Sequence, residues 1–367
     1  MPASYEPAVA ALDRLVLLGL ADHLHRHGGW PRPGPADQPA AAEPTVLPRF
    51  RWIPEHWAAQ LTAHGVTTRP GRAELVAARR GLDDARRTLG YGPELADLLL
   101  RSLRLLPELL AGTVGVQALL YPDGDLATAE VAYRTNAASA WLNAHAARAA
   151  AETAARAGRP LEVLELGGGV GATTAELLPA VAAQGLARYR FTDVSPFFLD
   201  LARRRFTGTS VGDTAPLDTA LFDTALLDTA LLDIDDLASV AAAEPGGVDL
   251  VVAATMAHNA RDVDAFLAAV AALLRPGGRL ILVEPVVEHP QSLTTMPFAL
   301  SGPDGPPVRR DLRAGTRRTY LSLDEWSAAL AGAGLRIEKT LPPPGHPLSA
   351  FSQHLVVAAP ASPEGAP

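Results

Sequence analysis

Two patterns of hydrophobic and polar positions divide the chain near residue 150. Before that point, apolar residues recur at helical spacing in several segments, among them ALDRLVLLGLADHLHRHGG and ELADLLLRSLRLLPELLAG. After it, short apolar runs alternate with amphipathic segments, which is typical of strands and helices in turn. The sequence therefore predicts a mainly helical lid or substrate-binding domain over residues 1–150, an α/β core over 151–360 and a flexible tail over 361–367.

The elements of the predicted core follow from its apolar runs. The strands are LEVLEL (161–166), RYRFTDVS, VDLVVAA (248–254) and RLILVEP, and the helices between them are TTAELLPAVAAQG, FFLDLARRRF and DVDAFLAAVAALL, the last N-capped by Asp262. A helix (LSLDEWSAALAGAG) and two late strands, around RIEKTL and SQHLVVAA, complete the core. Strands that alternate with helices imply a Rossmann-like, doubly wound and mostly parallel sheet.

Two segments fit neither pattern. Residues 31–46 are rich in proline and alanine, and they are predicted to form a loop or a disordered segment. Residues 216–233 repeat a five-residue unit (PLDTA LFDTA LLDTA LLD), which matches neither helical nor strand periodicity. The repeat lacks the pattern of glycine and ligand residues that a calcium-binding loop needs. It also has fewer units than a solenoid usually needs. We therefore predict tandem expansion of a surface loop.

Composition narrows the classes of function. No window has the long apolar run of a membrane span, and the N-terminus lacks the pattern of a signal peptide, so a cytoplasmic protein without membrane contact is predicted. The chain has no cysteine, which excludes disulfides and thiolate chemistry, and its histidines do not cluster as metal ligands, so no metal is predicted. The net charge of −8 argues against a nucleic-acid partner. The oligomeric state is left open.

The first predicted strand runs into a glycine-rich turn, LELGGGVGATT, ahead of a helix. Glycine allows the backbone to approach a nucleotide-like ligand because it has no Cβ. Glu165 closes the strand, and Gly167, Gly169 and Gly171 follow it. Because Gly167, Gly169 and Ala172 also satisfy G-x-G-x-x-A, the turn alone fits either NAD or S-adenosylmethionine.

Acidic residues around the turn favour S-adenosylmethionine. The Glu165 carboxylate can accept from the amino group of a bound amino-acid moiety. Asp193, at the end of the second predicted strand, can accept both ribose hydroxyls, a role that dinucleotide enzymes share. Asp233, in LLDIDD, can meet the adenine edge, and RPGG before an apolar strand is a layout that dehydrogenases seldom show. S-adenosylmethionine is therefore the predicted cofactor, with S-adenosylhomocysteine as its product.

With these motifs in place, residues 161–285 resemble class I S-adenosylmethionine-dependent methyltransferases. Residues 93–360 resemble, more specifically, the C-methyltransferase domains of polyketide and mixed polyketide–nonribosomal peptide synthases. The segments that carry this resemblance, in the family's order, are PELADLLLRSLRLLPELLAG, LLYPDGDLATAEVAYRTN, LEVLELGGGVGATT, YRFTDVSPFFLDLARRRF, VDLVVAATMAHNARD, LLRPGGRLILVEP and YLSLDEWSAALAGAGL. The match thins before about residue 90, where the family carries a variable helical lid.

The resemblance implies roles for individual residues. His258 matches a catalytic histidine, Glu284 its carboxylate partner, and Tyr133 a tyrosine near the transferred methyl group. Thr255 stands where the family usually has asparagine, in an A-N-x-x-H strand end, which leaves open the polar contact made there near the substrate. The implied cofactor-binding residues are Glu165, Gly167, Gly169 and Gly171 at the methionine end, Asp193 at the ribose, Asp233 with Ile234 at the adenine, and also Val194 and Ala254.

The chemistry of methyl transfer agrees with these roles. A carbon acceptor must first lose a proton beside a carbonyl, and imidazole suits this because its pKa lies near working pH. A carboxylate on the far ring nitrogen fixes the tautomer and stabilises the imidazolium that forms. His258 and Glu284 are both expected at the carboxyl ends of adjacent parallel strands, where open α/β sheets bind ligands.

The leading hypothesis is a stand-alone C-methyltransferase of natural-product biosynthesis that acts in trans. It methylates the carbon alpha to a carbonyl, in a small molecule or in an acyl thioester tethered to an acyl or peptidyl carrier protein. The run RRDLRAGTRR (309–318) is either a docking patch for an acidic carrier protein or a solvated loop. The alternatives are O- or N-methylation, cyclisation on the same fold, and a non-catalytic module that binds S-adenosylmethionine.

Overall fold

The computed structural model describes residues 4–27, 46–207, 226–243 and 247–361. The chain divides into two compact units, of which the first comprises Met1–Ala137 and Glu288–Val308 and the second comprises Ala138–Val287 and Arg309–Pro367. The predictions made for residues 31–45, 216–225 and 362–367 lie outside the described residues.

The first unit is built from helices. Apolar residues at helical spacing form the buried face of α1, which packs against α3, and the Trp57 indole of α2 donates to the carbonyl oxygen of Leu293 (2.9 Å). No helix in the described part of the chain combines the length and apolar character needed to cross a membrane. The helices of this unit are α1 (Glu6–His27), α2 (Trp52–Ala63), α3 (Arg72–Leu89), α4 (Pro93–Arg104), α5 (Leu106–Ala111), α6 (Gln117–Leu120), α7 (Ala127–Glu130) and α13 (Met296–Leu300).

A break at Asn136 divides the helical segment that precedes the glycine-rich turn. A π-helical turn over Val131–Thr135 follows α7, and Asn136 is extended (φ −67°, ψ 161°). The side-chain amide of Asn136 donates to the carbonyl oxygens of Val131 (2.9 Å) and Ala132 (2.7 Å). It thus replaces the backbone N–H groups that would bond to these carbonyl groups if the helix continued. The next helix, α8 (Ala137–Ala157), therefore starts as a separate element.

The second unit is organised around a seven-stranded sheet in the order β3-β2-β1-β4-β5-β7-β6. The first five strands in this order are parallel, and β7 pairs antiparallel with both β5 and β6. The predicted Rossmann-like, mostly parallel sheet is thus confirmed. Its strands are β1 (Leu161–Leu166), β2 (Leu186–Asp193), β3 (Leu227–Leu231), β4 (Val248–Ala254), β5 (Leu274–Pro285), β6 (Leu335–Leu341) and β7 (Gln353–Pro360).

Helices cover both faces of this sheet. In β4, Leu250 and Val252 belong to the cluster on one face, while Val251 and Ala253 belong to the cluster on the other, because successive strand residues point to opposite sides. The predicted N-cap is confirmed, since the Asp262 carboxylate accepts from the amide of Ala265 (3.0 Å). The remaining helices are α9 (Thr174–Ala182), α10 (Pro196–Thr207), α11 (Leu237–Ala243), α12 (Val263–Leu273) and α14 (Leu323–Gly332).

The described end of the five-residue repeat is an edge strand. Residues Leu227–Leu231 pair in parallel with β2, from Tyr189↔Leu227 to Asp193↔Leu231. The prediction of a surface loop is therefore wrong for this part of the repeat. The open edge of β2 offers backbone hydrogen bonds to a short segment that lies along it. Such an edge strand can form without the regular spacing of apolar residues that predicts a buried strand or a helix.

Candidate active site

The carboxyl ends of β2, β1, β4 and β5 lie side by side at one edge of the sheet. Glu165, near the end of β1, pairs with Phe191 of β2 on one side and with Val252 of β4 on the other. The chain leaves β1 towards β2 and returns on the opposite side through β4. This change in the direction of strand order is a topological switch point. Open α/β sheets bind ligands outside the carboxyl ends of the strands at such a point, so this edge is the expected location of the site.

The glycine-rich turn after β1 has backbone conformations that favour glycine. Gly167, Gly169 and Gly171 have φ of 58°, 54° and 74°, all in the left-handed region. A Cβ at Gly171 would lie 2.8 Å from the Phe206 ring. A Cβ at Gly169 would meet only a carbonyl oxygen, 4.0 Å away, so this glycine borders open space. The turn therefore leaves room for a ligand at Gly169.

Gly168, which the sequence-based prediction left out, is required by packing. A Cβ there would lie 2.2 Å from the ring of Phe191 on β2, and the Gly168 amide donates to the carbonyl oxygen of Thr192 (2.9 Å). The middle glycine of the GGG run was the available signal, because the G-x-G-x-x-A pattern places no requirement on that position.

Asp193 ends β2 and ties it to the glycine-rich turn. Its carboxylate accepts from the amides of Gly169 (3.0 Å) and Ser195 (2.8 Å). Burial raises the pKa of Asp193, although the hydrogen bonds from the backbone oppose this rise. Val194, the next residue, is 68% exposed and offers an apolar surface beside the carboxylate.

Glu165 is buried and bonded within the protein. One carboxylate oxygen accepts from the hydroxyls of Thr174 (2.6 Å) and Tyr189 (2.8 Å), which links β1 to α9 and β2. Burial raises its pKa to about 7 in spite of these two hydrogen bonds. The contacts seen here join the elements around the turn, and a contact of Glu165 with the cofactor stays a prediction.

The raised pKa of Glu165 predicts a loss of stability as pH rises. The unfolded chain gives up this proton near pH 4.5 and the folded chain near pH 7, so the stabilising contribution is present below pH 4.5 and is lost by pH 7. Relative to Glu165→Gln, we expect the wild-type free energy of unfolding to fall by about 3 kcal/mol across this window. Urea titrations at several pH values measure it; parallel pH profiles of the two proteins would contradict it.

Two further predicted cofactor residues follow β3. Asp233 is exposed, and its carboxylate accepts from the amide of Asp235 (2.9 Å). Ile234 is half-buried and packs against the apolar cluster beneath α12. Tyr133 belongs to the first unit, where it lies on the π-helical turn and is 40% exposed. The roles of these three residues stay predictions.

His258 and Glu284 form a buried pair. His258 lies on a 3-10 turn (Ala257–Asn259) just after β4, and Glu284 is the penultimate residue of β5. The His258 Nδ1 lies 2.6 Å from one Glu284 carboxylate oxygen, and the two side chains are 4% and 2% exposed. The other oxygen accepts from the amides of Met256 (3.0 Å) and Ala257 (2.7 Å). Both carboxylate oxygens are thus held by groups of the same turn.

The ring of His258 is also confined on one side. The ring of Tyr320 meets it edge to face, with 4.9 Å between ring centroids. Within the described residues, the Nε2 atom of His258 makes no hydrogen bond. A histidine held through Nδ1 by a carboxylate, with Nε2 left over, has the geometry of a general base and its orienting partner.

Thr255, between Ala254 and the histidine turn, has a strained backbone. Its φ is 53°, in the left-handed region, which is rare for a β-branched residue. Its amide donates to the carbonyl oxygen of Val283 (2.6 Å), and its hydroxyl donates to that of Ala254 (2.8 Å). Asparagine tolerates this conformation far better, which gives a backbone reason for the family's asparagine here.

Replacing Thr255 with asparagine is expected to stabilise the protein. Removing a β-branched residue from a left-handed position relieves about 1 kcal/mol of strain. Reversible thermal or urea unfolding measures the gain, with Thr340→Asn on the extended backbone of β6 as a control that should not show it. A Thr255→Asn variant no more stable than wild type would show that the strain is not relieved.

The basic run over 309–318 is divided between the interior of the second unit and the surface. Arg309 and Arg313 are 8% and 0% exposed, and Arg318 is paired with Glu325 (2.5 Å). Both alternatives, a docking patch and a solvated loop, are therefore wrong for Arg309 and Arg313, which belong to the protein interior. For the exposed residues of the run, docking stays a prediction. Arg310 and Arg317 remain exposed.

Comparison with known proteins agrees with this architecture. Residues 164–280 match the family model for a methyltransferase domain. Pyochelin synthetase PchF of Pseudomonas aeruginosa is 30% identical over 270 residues, which cover 72% of this chain and 14% of that protein. Polyketide synthase ThaQ of Burkholderia thailandensis is 35% identical over 189 residues, which cover 50% of this chain and 8% of that protein. The chain thus spans a small part of the length of these relatives.

Solved structures share the fold across nearly the whole chain. The DszA carbon methyltransferase superposes with a TM-score of 0.77 at 22% identity, covering 97% of this chain and 91% of that one. The trans-methyltransferase CalH, solved as a complex with SAH, gives 0.65 at 20% identity, with 96% and 90% covered. At these identities the comparison establishes the fold.

The fold is that of class I S-adenosylmethionine-dependent methyltransferases, as predicted. Residues 164–280 belong to the methyltransferase domain family. Within that class, the chain resembles the corresponding regions of polyketide synthases and nonribosomal peptide synthetases.

Proposed function

We propose that this protein is a C-methyltransferase of natural-product biosynthesis that methylates the carbon next to a carbonyl. The observation that carries the proposal is the buried His258–Glu284 pair, with 2.6 Å between Nδ1 and the carboxylate, just beyond the ends of β4 and β5. Transfer to an oxygen or nitrogen that already holds a lone pair has less need of such a base. Transfer to carbon requires one, because a C–H proton must leave first.

The residues at the sheet edge fit S-adenosylmethionine as the cofactor. Gly169 borders open space, and Asp193, the residue that the resemblance assigns to the ribose, has a carboxylate at the end of β2. Val194 offers an exposed apolar side chain beside it. When bound, the cofactor supplies a methyl group on a sulfonium, which is an electrophile with a good leaving group. The solved CalH complex contains SAH, which supports the same cofactor for this chain.

In this proposal, His258 is the base and Glu284 sets its state. Glu284 accepts from Nδ1–H, so Nε2 carries the lone pair that takes the proton from the acceptor carbon. The resulting imidazolium lies against a carboxylate, which stabilises its positive charge. Because Glu284 also holds two backbone amides, it keeps its position when the ring changes charge.

The substrate proposed is an acyl thioester or a related activated intermediate, carried by an acyl or peptidyl carrier protein or free. This proposal is supported by the relatives, which are a polyketide synthase and a pyochelin synthetase. In both of them the matching segment is part of a much longer chain. A thioester also acidifies its alpha C–H, which brings that proton within reach of an imidazole base.

The decisive experiment follows a labelled methyl group. The full chain is incubated with S-adenosylmethionine labelled in the methyl group and with β-ketoacyl thioesters, both free and bound to a carrier protein. NMR and mass spectrometry of the product are expected to place the label on the alpha carbon. A matched thioester with no alpha hydrogen should remain unlabelled.

Each other outcome of this experiment overturns the proposal in its own way. Label on oxygen or nitrogen would make the protein a heteroatom methyltransferase, and an unlabelled, rearranged product would make it a cyclase. If calorimetry detects no binding of the cofactor, the proposal fails at its first step. If the cofactor binds but no acceptor is methylated, a non-catalytic module is favoured instead.

A further inference from the structure

A buried arginine–aspartate pair holds the backbone of the turn that carries His258. The Arg313 guanidinium, with none of its side chain exposed, donates to the carbonyl oxygens of His258 (2.6 Å), Ala260 (2.8 Å) and Thr319 (2.6 Å). Asp311 accepts from the amide of Val263 (3.0 Å), the first residue of α12. The pair therefore fixes the segment from His258 to the start of α12.

Arg313 and Asp311 are also bonded to each other. Two nitrogens of the guanidinium donate to the two oxygens of the Asp311 carboxylate, at 3.0 Å and 2.6 Å. Burial alone raises the pKa of Asp311, but the hydrogen bonds from Arg313 and the backbone outweigh this and hold the pKa below its usual value. A bidentate pair of this kind is rigid, since the planar guanidinium matches the carboxylate.

Arg309 adds a second support to the same turn. Its guanidinium donates to the carbonyl oxygens of Asn259 and Ala260, both at 2.8 Å. A 3-10 turn of three residues (Ala257–Asn259) is too short to satisfy its last carbonyl groups by itself. The carbonyl groups of His258, Asn259 and Ala260 are satisfied by arginines instead.

His258 is consequently held at both ends. Its ring is held by Glu284 through Nδ1, and its backbone is held by Arg313 through the carbonyl group. We infer that Arg313, with Asp311, is a positioning residue for His258, which sets where the imidazole stands relative to Glu284 and the acceptor. This inference rests on the proposed function of His258 as the base.

The test replaces Arg313 with lysine, which keeps the charge but cannot reach three carbonyl groups and a carboxylate at once. A displaced base costs rate, so kcat is expected to fall by about 10- to 100-fold while the cofactor Kd and the acceptor KM stay within about twofold. A looser bond to Glu284 stabilises the imidazolium less. The acidic limb of the kcat–pH profile should therefore move to lower pH.

Two variants separate positioning from general stability. Arg279→Lys alters another buried arginine, 5% exposed and paired with Glu338 (2.6 Å), and should lower Tm without moving the acidic limb. Arg310→Lys, at an exposed neighbour of Asp311, should change neither quantity. If Arg313→Lys behaves like Arg279→Lys, the role of Arg313 is structural and the inference is wrong.

His258→Ala is assayed alongside, so that the two proposals fail separately. If it keeps its activity, the proposed base is wrong whatever Arg313 does; if it loses activity while Arg313→Lys keeps the wild-type pH profile, only the positioning role is wrong. Should Arg313→Lys not fold, Asp311→Asn takes its place. Faster hydrogen exchange over residues 256–263 with a shifted acidic limb would support the inference, and an unchanged limb would overturn it.

Discussion

His258→Gln is expected to lower kcat for methyl transfer to carbon by about 10²- to 10⁴-fold, which is the usual contribution of a positioned base. Glutamine is close to histidine in size and can still reach Glu284, but it cannot take up a proton near neutral pH. The dissociation constant of S-adenosylmethionine should stay within about twofold, because no hydrogen bond among the described residues joins His258 to the glycine-rich turn or to Asp193. Single-turnover assays with a β-ketoacyl thioester measure the rate, and calorimetry measures the binding.

The chain offers a matched control in the first unit. His289 also contacts a carboxylate through Nδ1, that of Asp13, at 3.0 Å. His289→Gln thus removes a histidine–carboxylate pair without touching the proposed base, and it should leave kcat close to wild type. A loss of less than tenfold in His258→Gln would exclude His258 as the base, and an equal loss in both variants would point to a general effect on folding.

Glu284→Gln is expected to have a comparable effect, about 10²- to 10⁴-fold on kcat, by reversing the tautomer of His258. The amides of Met256 and Ala257 require an acceptor, so the glutamine oxygen should face them and its NH₂ group should face Nδ1. Nδ1 then has to accept, and the proton moves to Nε2, where the lone pair is needed. The substitution also removes the negative charge that lies against the imidazolium once the base has taken up its proton.

Two measurements test the effect of Glu284→Gln. ¹⁵N chemical shifts of the imidazole should show the proton on Nδ1 in wild type and on Nε2 in the variant. Single-turnover assays with a β-ketoacyl thioester should show the loss of kcat. Glu338→Gln, at a partly exposed carboxylate paired with Arg279, serves as the control and should leave both quantities unchanged. An unchanged tautomer with an unchanged kcat would remove Glu284 from the mechanism.

The sheet and the strand-end residues could be predicted from the sequence because they depend on local patterns. A strand buried on both faces reads as a continuous apolar run, and β1 and β4 have the predicted bounds. The end of each run then locates Asp193, His258 and Glu284 near one edge. The resemblance to the methyltransferase family and the periodicity of apolar residues both depend on these same strand segments.

The details of the site could not be predicted because they depend on contacts that are distant in sequence. The partners of Glu165 are on α9 and β2, and the need for Gly168 arises from a ring on β2. The run over 309–318 looks like a solvated basic loop until the carbonyl groups of residues 258–260 are placed beside it. A charge pattern alone does not distinguish an arginine that meets solvent from one that satisfies a buried turn.

The order of strands has a consequence for the timing of folding during synthesis. Glu284 lies on β5, between β4 and the antiparallel β7, where it is opposite His354. Until the ribosome has released β7, the apolar residues of β5 have a neighbour on one side only, and an open apolar edge invites pairing with other chains. The strand that carries Glu284 therefore gains its second neighbour only after β7 has been synthesised.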